Sequence, residues 1–306
     1  MPLPDVVAVV GPTSAGKSDL ALALACSLGA EVVSADSMQL YRGMDIGTAK
    51  VPVAERRGVP HHLLDVLDID QRSTVAEFQQ WARAAIADCR RRGVPAVLVG
   101  GSALYVRAVL DRFEFPGTDP AVRARLESEL ATAGAATLHA RLAALDPASA
   151  TTIEASNGRR IVRALEVVEI TGLPYRASLP GHEYAYDHVV AVGLDVPRPE
   201  LDHRIAARVD AMWQAGLVDE VRALEAAGLR TAPTASRALG YAQVLRLLAG
   251  ELTERQALED TVIATRRFAR RQDSWFRRDP RISWLGFDDP DLCDNVHRMV
   301  ESGATG

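Results

Sequence analysis

Eight residues near the start of the sequence have the types and spacing of a phosphate-binding loop. Residues Gly11–Ser18 read G-P-T-S-A-G-K-S and match the pattern G-x-x-x-x-G-K-[ST]. Glycines in this pattern let backbone N–H groups close around phosphate oxygens, and the following helix N-terminus adds positive potential. Lys17 supplies a mobile charge, and the Ser18 hydroxyl is placed to bind Mg²⁺. The motif predicts an oligophosphate site built from Gly11, Pro12, Thr13, Ser14, Ala15, Gly16, Lys17 and Ser18, and leaves open whether phosphate is transferred.

A second candidate group follows the next predicted strand. The first part of Glu31–Tyr41 is typical of a buried strand, which places Asp36 at its carboxyl end, where ligands bind in open α/β sheets. A carboxylate there could hold Mg²⁺, accept a proton or cap the following turn. Arg42–Lys50 continues as a polar loop with two glycines, and its lysine suggests an approach to something anionic.

The elements around these residues indicate a parallel sheet. Val6–Val10 is a β-branched run typical of a buried strand, and the leucines after the loop recur at helical spacing until Gly29. Pro95–Ser102 is a further strand that ends in Gly100, Gly101 and Ser102, at the same edge. Glycine stands where many NTPases carry an aspartate, which counts against a motor or switch ATPase.

Composition limits the class of protein. The chain has 306 residues, 48% apolar residues and a net charge of −5, so a nucleic acid would have to meet a local basic patch. Its three cysteines are scattered without a C-x-x-C pair, which indicates no disulfide framework and fits a reducing cytosol. No apolar run approaches the length of a membrane span, and we expect no signal peptide before the first strand. For the adjacent His61 and His62 we favour structural or substrate-positioning roles over metal binding.

The amino-acid composition changes in the middle of the chain. Residues 119–180 are rich in Ala and Arg and lack apolar strand runs, so we predict a helical insertion over 116–186 between core segments 1–115 and 187–306. Arg159, Arg160 and Arg163 cluster at one end of a predicted helix, as a solvated face or a phosphate-backbone contact.

The last third is predicted to be helical, with one segment over Leu201–Ala227 and another over Thr261–Arg278. In the second segment, arginines share a face with interleaved aromatic residues, which suits RNA contact, a lining over a phosphate site or a plain surface stripe. The predicted fold is α/β, a P-loop NTPase-like parallel sheet flanked by helices, with a helical insertion domain.

Several blocks, in order along most of the chain, resemble the tRNA dimethylallyltransferases (tRNA isopentenyltransferases). Besides the phosphate loop, they are Asp36–Lys50, Pro60–Asp65, Val99–Tyr105, Arg163–Val167, Gly240–Tyr241 and Thr265–Arg277. The run D-S-M-Q-L-Y-R-G-M-D-I-G-T-A-K is long enough to make a chance match rare. Ser102 stands where the family usually has Thr, and Arg replaces Lys within Arg266–Gln272; both changes keep the chemical group.

The resemblance implies transfer of a dimethylallyl group from dimethylallyl diphosphate to the exocyclic amine of the adenosine just 3′ of the anticodon, in tRNAs that read codons beginning with U. The phosphate loop would hold a diphosphate leaving group rather than ATP, through backbone N–H groups of residues 13–18, Lys17, Mg²⁺ at Ser18 and an arginine, for which we select Arg208. Asp36 would orient the amine and take its proton, and Ser102 would make a second contact to the nucleotide.

The resemblance also implies an RNA interface. The target adenine must leave the anticodon-loop stack, so a flipped base is expected. Ser37, Met38 and Gln39, beside Asp36, are candidates for base recognition. Expected contacts to the anticodon stem come from the insertion. They are Arg123, Arg159, Arg160, Ile161, Val162 and Arg163.

Three alternatives remain at this level. A small-molecule or nucleoside kinase would use the same loop for ATP and Asp36 as a base toward a hydroxyl, but would leave the D-S-M-Q run unexplained. A non-catalytic RNA-binding protein would not need an intact G-K-S. A relative that acts on free adenine nucleotides would not require tRNA. We expect a cytoplasmic monomer.

Overall fold

The computed structural model describes residues 4–112, 115–175 and 181–303. Within these ranges the strands form one parallel six-stranded sheet in the order β3-β2-β4-β1-β5-β6. The strands are β1 (Val6–Val10), β2 (Glu31–Ser34), β3 (His61–His62), β4 (Ala96–Gly100), β5 (Val189–Asp195) and β6 (Ser283–Gly286). This arrangement confirms the predicted fold class.

Helices cover both faces of the sheet, which is why β1 is apolar throughout. The helices around the sheet are α1 (Lys17–Leu28), α2 (Val75–Arg91), α3 (Ala103–Leu110), α8 (Arg198–Gln214), α9 (Leu217–Ala226), α10 (Tyr241–Leu248), α11 (Glu254–Phe276) and α12 (Leu292–Gly303). Val7 and Val9 pack with α1 and α12 on one face, whereas Val6, Ala8 and Val10 pack with α2, α3, α9 and α10 on the other.

The chain divides into two compact units, one made of 1–111 and 182–306 and the other of 112–181. The second unit is helical, with α4 (Pro120–Ala133), α5 (Ala135–Leu145), α6 (Pro147–Thr152) and α7 (Gly158–Thr171) around an aliphatic core. Asp119 caps α4 by accepting the Ala121 N–H at 2.8 Å. The segment predicted as the insertion was 116–186, and its residues 176–180 lie outside the described ranges.

Two features of the last third differ from the prediction. The segment Leu201–Ala227 is two helices, α8 and α9, because Gly216 adopts a left-handed φ of 97° between them. The strand β6 was not predicted, since Ser283–Gly286 is a short, partly exposed edge strand without a continuous apolar run. Within the described residues, no helix is long and apolar enough to cross a membrane.

Candidate active site

The candidate site lies where three neighbouring strands end. The register pairs Val10 of β1 with Gly100 of β4, and Ser34 of β2 with Val99 of β4. The phosphate loop after β1, Asp36 after β2 and Ser102 after β4 therefore start from one edge of the sheet. This juxtaposition is the one that the sequence predicts.

The phosphate loop has the backbone shape of an anion site. Gly11, Ser14 and Gly16 all have positive φ, at 135°, 64° and 99°, and a positive φ is uncommon for serine. The buried Ser14 Oγ has no hydrogen-bond partner among the described residues. The N-terminus of α1, whose first N–H groups have no intrahelical acceptors, is likewise not capped by any described side chain. These donors suit a phosphate group.

Two cations meet one carboxylate beside this loop. Lys17 Nζ donates to the Pro12 carbonyl oxygen at 2.6 Å. Burial lowers the pKa of Lys17 to about 7; the charge of Arg208 lowers it further, and Asp36 opposes the shift. Burial also lowers the pKa of Arg208, against the attraction of Asp36 and Asp19. A bound polyanion would favour the charged form of both cations, against the effect of burial.

Asp36 makes a turn contact and keeps acceptor capacity. Its Oδ1 accepts the Met38 N–H at 2.9 Å, so it does cap the following turn, one of the alternatives open from the sequence. A carboxylate has about four lone-pair positions, so this bond does not exclude a second role. The electrostatic effects on Lys17 and Arg208 place Asp36 next to both cations.

The double glycine after β4 has a specific steric cause. A Cβ on Gly100 would lie 2.7 Å from the Ala35 Cβ, which is why the chain just before Asp36 can approach β4. A Cβ on Gly101 would lie 2.3 Å from Nε2 of Gln272, a buried residue of α11. The Gln272 Oε1 accepts the Thr13 N–H at 2.9 Å, so this backbone donor already has a partner within the protein, and a contact between Thr13 and the diphosphate stays a prediction.

Tyr105 lies at this edge and was not singled out by sequence reasoning. It is in the first turn of α3, after Ser102, whose side chain does not cap this helix within the described residues. Burial raises the pKa of the Tyr105 phenol, the charge of Asp36 raises it further, and the Ser73 and Ser37 side chains oppose the shift. The sequence signal that could have identified Tyr105 is its position three residues after Ser102, which places the two residues on one helix face.

The loop after Asp36 is held by its own side chains. Gln39 Oε1 accepts the Ser34 hydroxyl at 2.9 Å, and its Nε2 donates to the Thr48 carbonyl oxygen at 3.1 Å. Both ends of this amide therefore help to hold the loop, and base recognition by Gln39 stays a prediction. Ser37 and Met38 stay partly exposed beside Asp36.

Lys50 meets carboxylates of the protein rather than a ligand. Its buried Nζ contacts Asp45 Oδ1 at 2.8 Å, Asp65 Oδ1 at 2.5 Å and the Tyr41 carbonyl oxygen at 2.5 Å. The three ammonium donors are thereby satisfied. The anionic partner that the sequence predicts for Lys50 is therefore the pair Asp45 and Asp65 of the protein itself.

The histidine pair has structural contacts. His62 Nε2 lies 2.7 Å from Glu31 Oε2, and the Arg92 guanidinium bonds to the same carboxylate, lowering the pKa of Glu31 to about 2. The ligand atoms of Glu31, His62 and Cys89 lie within 4.8 Å of one another, as a metal site would require. However, burial raises the pKa of the Cys89 thiol to about 11, and Arg92 already neutralises the carboxylate, so an ion-pair cluster is the better description.

The predicted RNA-binding residues of the helical unit divide into two groups. Arg159 and Arg160 are exposed in the first turn of α7. Arg123 and Arg163 instead both bond to Glu166, which is completely buried, so they satisfy an internal charge. The side chains of Ile161 and Val162 lie in the core of this unit and are not available at its surface.

The basic face of α11 also differs from the sequence pattern. Arg266 is half-buried and donates to the Asp202 carbonyl oxygen, and the Arg277 guanidinium lies 3.8 Å from the Trp284 ring centre. The exposed side chains toward the C-terminal end of this helix include the aromatic Trp275, at 43% exposure. The exposed arginines in this part of α11 are Arg267, Arg270 and Arg271.

The fold and the site define the class: an α/β protein whose phosphate-loop motif and Asp36 start from the same edge of a parallel sheet. The family model described as IPP transferase matches residues 39–279 of this chain. The tRNA dimethylallyltransferase of Thermobifida fusca is 65% identical over 300 residues, covering 96% of this chain and 94% of that protein. The tRNA dimethylallyltransferase of Streptomyces avermitilis is 65% identical over 293 residues, with the same two coverages.

Solved structures agree. A tRNA isopentenylpyrophosphate transferase from Bacillus halodurans is 37% identical, with a TM-score of 0.73 and 98% of each chain covered. A eukaryotic dimethylallyltransferase acting on tRNA is 25% identical, with a TM-score of 0.79 over 96% of this chain and 77% of that one. The chain therefore belongs to the IPP transferase family and is a prenyltransferase that modifies tRNA, which does not favour the kinase alternative.

Proposed function

We propose that this protein transfers a dimethylallyl group from dimethylallyl diphosphate to the exocyclic amine of the adenosine 3′ of the anticodon, in tRNAs that read codons beginning with U. The observation that carries the proposal is that the phosphate loop and Asp36 start from one edge of the sheet, where the charge of Asp36 acts on both Lys17 and Arg208. A base for the amine and a receptor for the leaving diphosphate are thereby adjacent.

The leaving group is the diphosphate. As the allylic C–O bond breaks, negative charge grows on the diphosphate, and preorganised donors stabilise it there. The donors are Lys17, Arg208, the Ser14 hydroxyl and the N–H groups at the start of α1. Because no water or phosphoryl acceptor has to be activated, the missing strand-end aspartate is not needed.

Mg²⁺ fits the same loop as a counter-ion. Ser18 is exposed in the first turn of α1, where its hydroxyl has no capping role within the described residues. Ser18 would hold the ion, which when bound supplies charge neutralisation for the diphosphate. Lys17 and Arg208 perform the same electrostatic task with groups of the chain itself.

The acceptor side is formed by the strand ends next to the loop. Asp36 accepts the proton that leaves the adenine amine as the N–C bond forms, a contribution of about 10²–10⁴-fold. Ser102, Ser37, Met38 and Tyr105 are the candidates for the contact surface of the base; Ser102 and Tyr105 lie at the start of α3, and the charge of Asp36 acts on Tyr105. An adenine can reach them only after it leaves the anticodon-loop stack.

The RNA is held through phosphates. Arg159 and Arg160 stand at a helix N-terminus, where cations oppose the helix dipole, and an RNA phosphate would relieve this repulsion. The exposed arginines of α11 and Trp275 offer a second cationic surface with an aromatic ring. We expect the protein to act as a monomer in the cytoplasm.

A transfer assay tests the proposal. Unmodified tRNA with adenosine 3′ of the anticodon is incubated with the protein, Mg²⁺ and labelled dimethylallyl diphosphate, with ATP in a parallel tube and Lys17→Ala as the control variant. Label in nucleosides digested from the tRNA, absent with the variant, is the expected result. ATP turnover without tRNA labelling would support a kinase instead. Transfer to free adenine nucleotides as fast as to tRNA would overturn the assignment of the acceptor.

A further inference from the structure

A glutamine of α11 connects the two strand ends that carry the proposed chemistry. Gln272 is 7% exposed. Its Oε1 accepts the Thr13 N–H at 2.9 Å, in the phosphate loop after β1. Its Nε2 donates to the Gly101 carbonyl oxygen at 2.8 Å, in the turn after β4 that leads to Ser102. A single side chain therefore bonds the donor side and the acceptor side of the site.

The fit around this amide is close and selective. A Cβ on Gly101 would lie 2.3 Å from the Gln272 Nε2 and 3.3 Å from the Gly11 carbonyl oxygen. The contact needs an acceptor toward Thr13 and a donor toward Gly101, which only an amide of this length provides. A carboxylate lacks the donor, and a thioether lacks both strong groups.

We propose that Gln272 is a positioning residue that fixes the mouth of the phosphate loop relative to the Ser102 turn. By holding the Thr13 N–H, it orients the peptide that enters the loop, so that the diphosphate is bound by residues 14–18. By holding Gly101, it sets the separation between this diphosphate and the base beside Asp36 and Ser102. The inference rests on the proposed function, because it assumes that the loop holds dimethylallyl diphosphate.

The test compares Gln272→Met, which keeps the length and removes both hydrogen bonds, with Gln272→Glu, which keeps only the acceptor. Binding of dimethylallyl diphosphate with Mg²⁺ and without tRNA is measured by calorimetry, and tRNA binding is measured separately. We expect each variant to bind the diphosphate about five- to tenfold more weakly, the effect of one or two hydrogen bonds, while tRNA affinity stays within about twofold.

A matched control separates positioning from loss of structure. Thr261 is also buried on α11, but its hydroxyl bonds to the Ala257 carbonyl oxygen of the same helix. Thr261→Val should leave diphosphate binding unchanged even if the melting temperature falls. Gly101→Ala should weaken binding in the wild-type background and add little in Gln272→Met, because both changes break the same contact.

The outcomes are distinct. No binding of dimethylallyl diphosphate by the wild type would contradict the proposed function itself. Binding by the wild type that is unchanged in both Gln272 variants would overturn the inference alone. A parallel loss of diphosphate affinity, tRNA affinity and melting temperature would also overturn it, as a merely structural role. If Gln272→Met does not fold, Gln272→Glu and the Gly101→Ala variant give the same decision.

Discussion

Lys17 and Arg208 are cations in a partly buried site, and their electrostatics explain what the loop binds. Each has its pKa lowered, first by burial, and Asp36 opposes the shift in both. A diphosphate would reverse this penalty, since an opposite charge favours the protonated form. These pKa shifts therefore predict that diphosphate binding is linked to proton uptake.

Diphosphate binding should take up a proton in weakly alkaline solution. With a pKa of about 7 in the protein alone, Lys17 is mostly neutral at pH 8 and mostly charged at pH 6. Bound diphosphate raises this pKa, so we expect uptake of about 0.9 protons at pH 8, about 0.1 at pH 6, and weaker affinity as pH rises. Calorimetry with dimethylallyl diphosphate in two buffers of different ionisation enthalpy measures the uptake. Lys17→Met should show none, and equal uptake at both pH values would contradict the prediction.

Asp36→Asn should impair turnover far more than RNA binding. The amide cannot take the amine proton but keeps the side-chain shape, so we expect single-turnover transfer to slow by about 10²–10⁴-fold and tRNA affinity to stay within about threefold. Quench-flow transfer and filter binding provide the two measurements. Asp70, an exposed aspartate of the same unit, serves as the control through Asp70→Asn. Unimpaired transfer by Asp36→Asn would remove the base role.

At the scale of elements, the loop between β2 and β3 is stiffened from two sides. The Glu220 carboxylate, in the first turn of α9, accepts the N–H groups of Asp45, Ile46 and Gly47. A Cβ on Gly47 would lie 2.4 Å from the Tyr241 ring, so this glycine allows the loop to pack on α10. Such clamps hold Ser37 and Met38 in place beside Asp36.

Lys50→Met should destabilise this loop. The variant leaves Asp45 and Asp65 without the cation they share. Both carboxylates are partly exposed, so water offsets part of the cost, and we expect the free energy of unfolding to fall by about 2–3 kcal/mol. Urea unfolding measures the change. The exposed pair of Arg42 and Asp68 provides the control, since Arg42→Met should cost less than about 1 kcal/mol. Equal costs for the two variants would refute a special role for Lys50.

At the scale of the whole molecule, a chain with a net charge of −5 has to bind a polyanion through local patches. Arg123 and Arg163 balance the buried charge of Glu166, whereas the side chains of Arg159 and Arg160 are exposed. An exposed guanidinium can come close to an RNA phosphate and release its counter-ions.

The salt dependence of tRNA binding should show which exposed arginines contact RNA phosphates. Replacing Arg159 and Arg160 together with Ala should flatten the slope of log affinity against log salt by about 1.5, since each lost phosphate contact removes about 0.7–0.9. Filter binding from low to moderate salt gives the slope. Arg222 and Arg91 are exposed arginines paired within their own helices, and their double Ala variant should leave the slope unchanged. The prediction fails if both double variants give the wild-type slope.

The sequence alone determined the features that are local or nearest-neighbour. The G-x-x-x-x-G-K-[ST] pattern, the strand before it and the helix after it specify an anion site, because glycine conformation and apolar periodicity act over a few residues. The placement of Asp36 and Ser102 at the same sheet edge followed from a general rule, that parallel strands carry their ligands at their carboxyl ends.

Only the tertiary structure decided which side chains are committed elsewhere. Glu166 lies on another helix from Arg123, and Gln272 is 259 residues from Thr13, so no local pattern reveals these bonds. The same holds for Gln39 and Lys50, whose types suit ligand binding but whose polar atoms are satisfied within one loop. The reason is physical: a buried polar group must find a partner, and the partner is chosen by packing between distant elements rather than by sequence spacing.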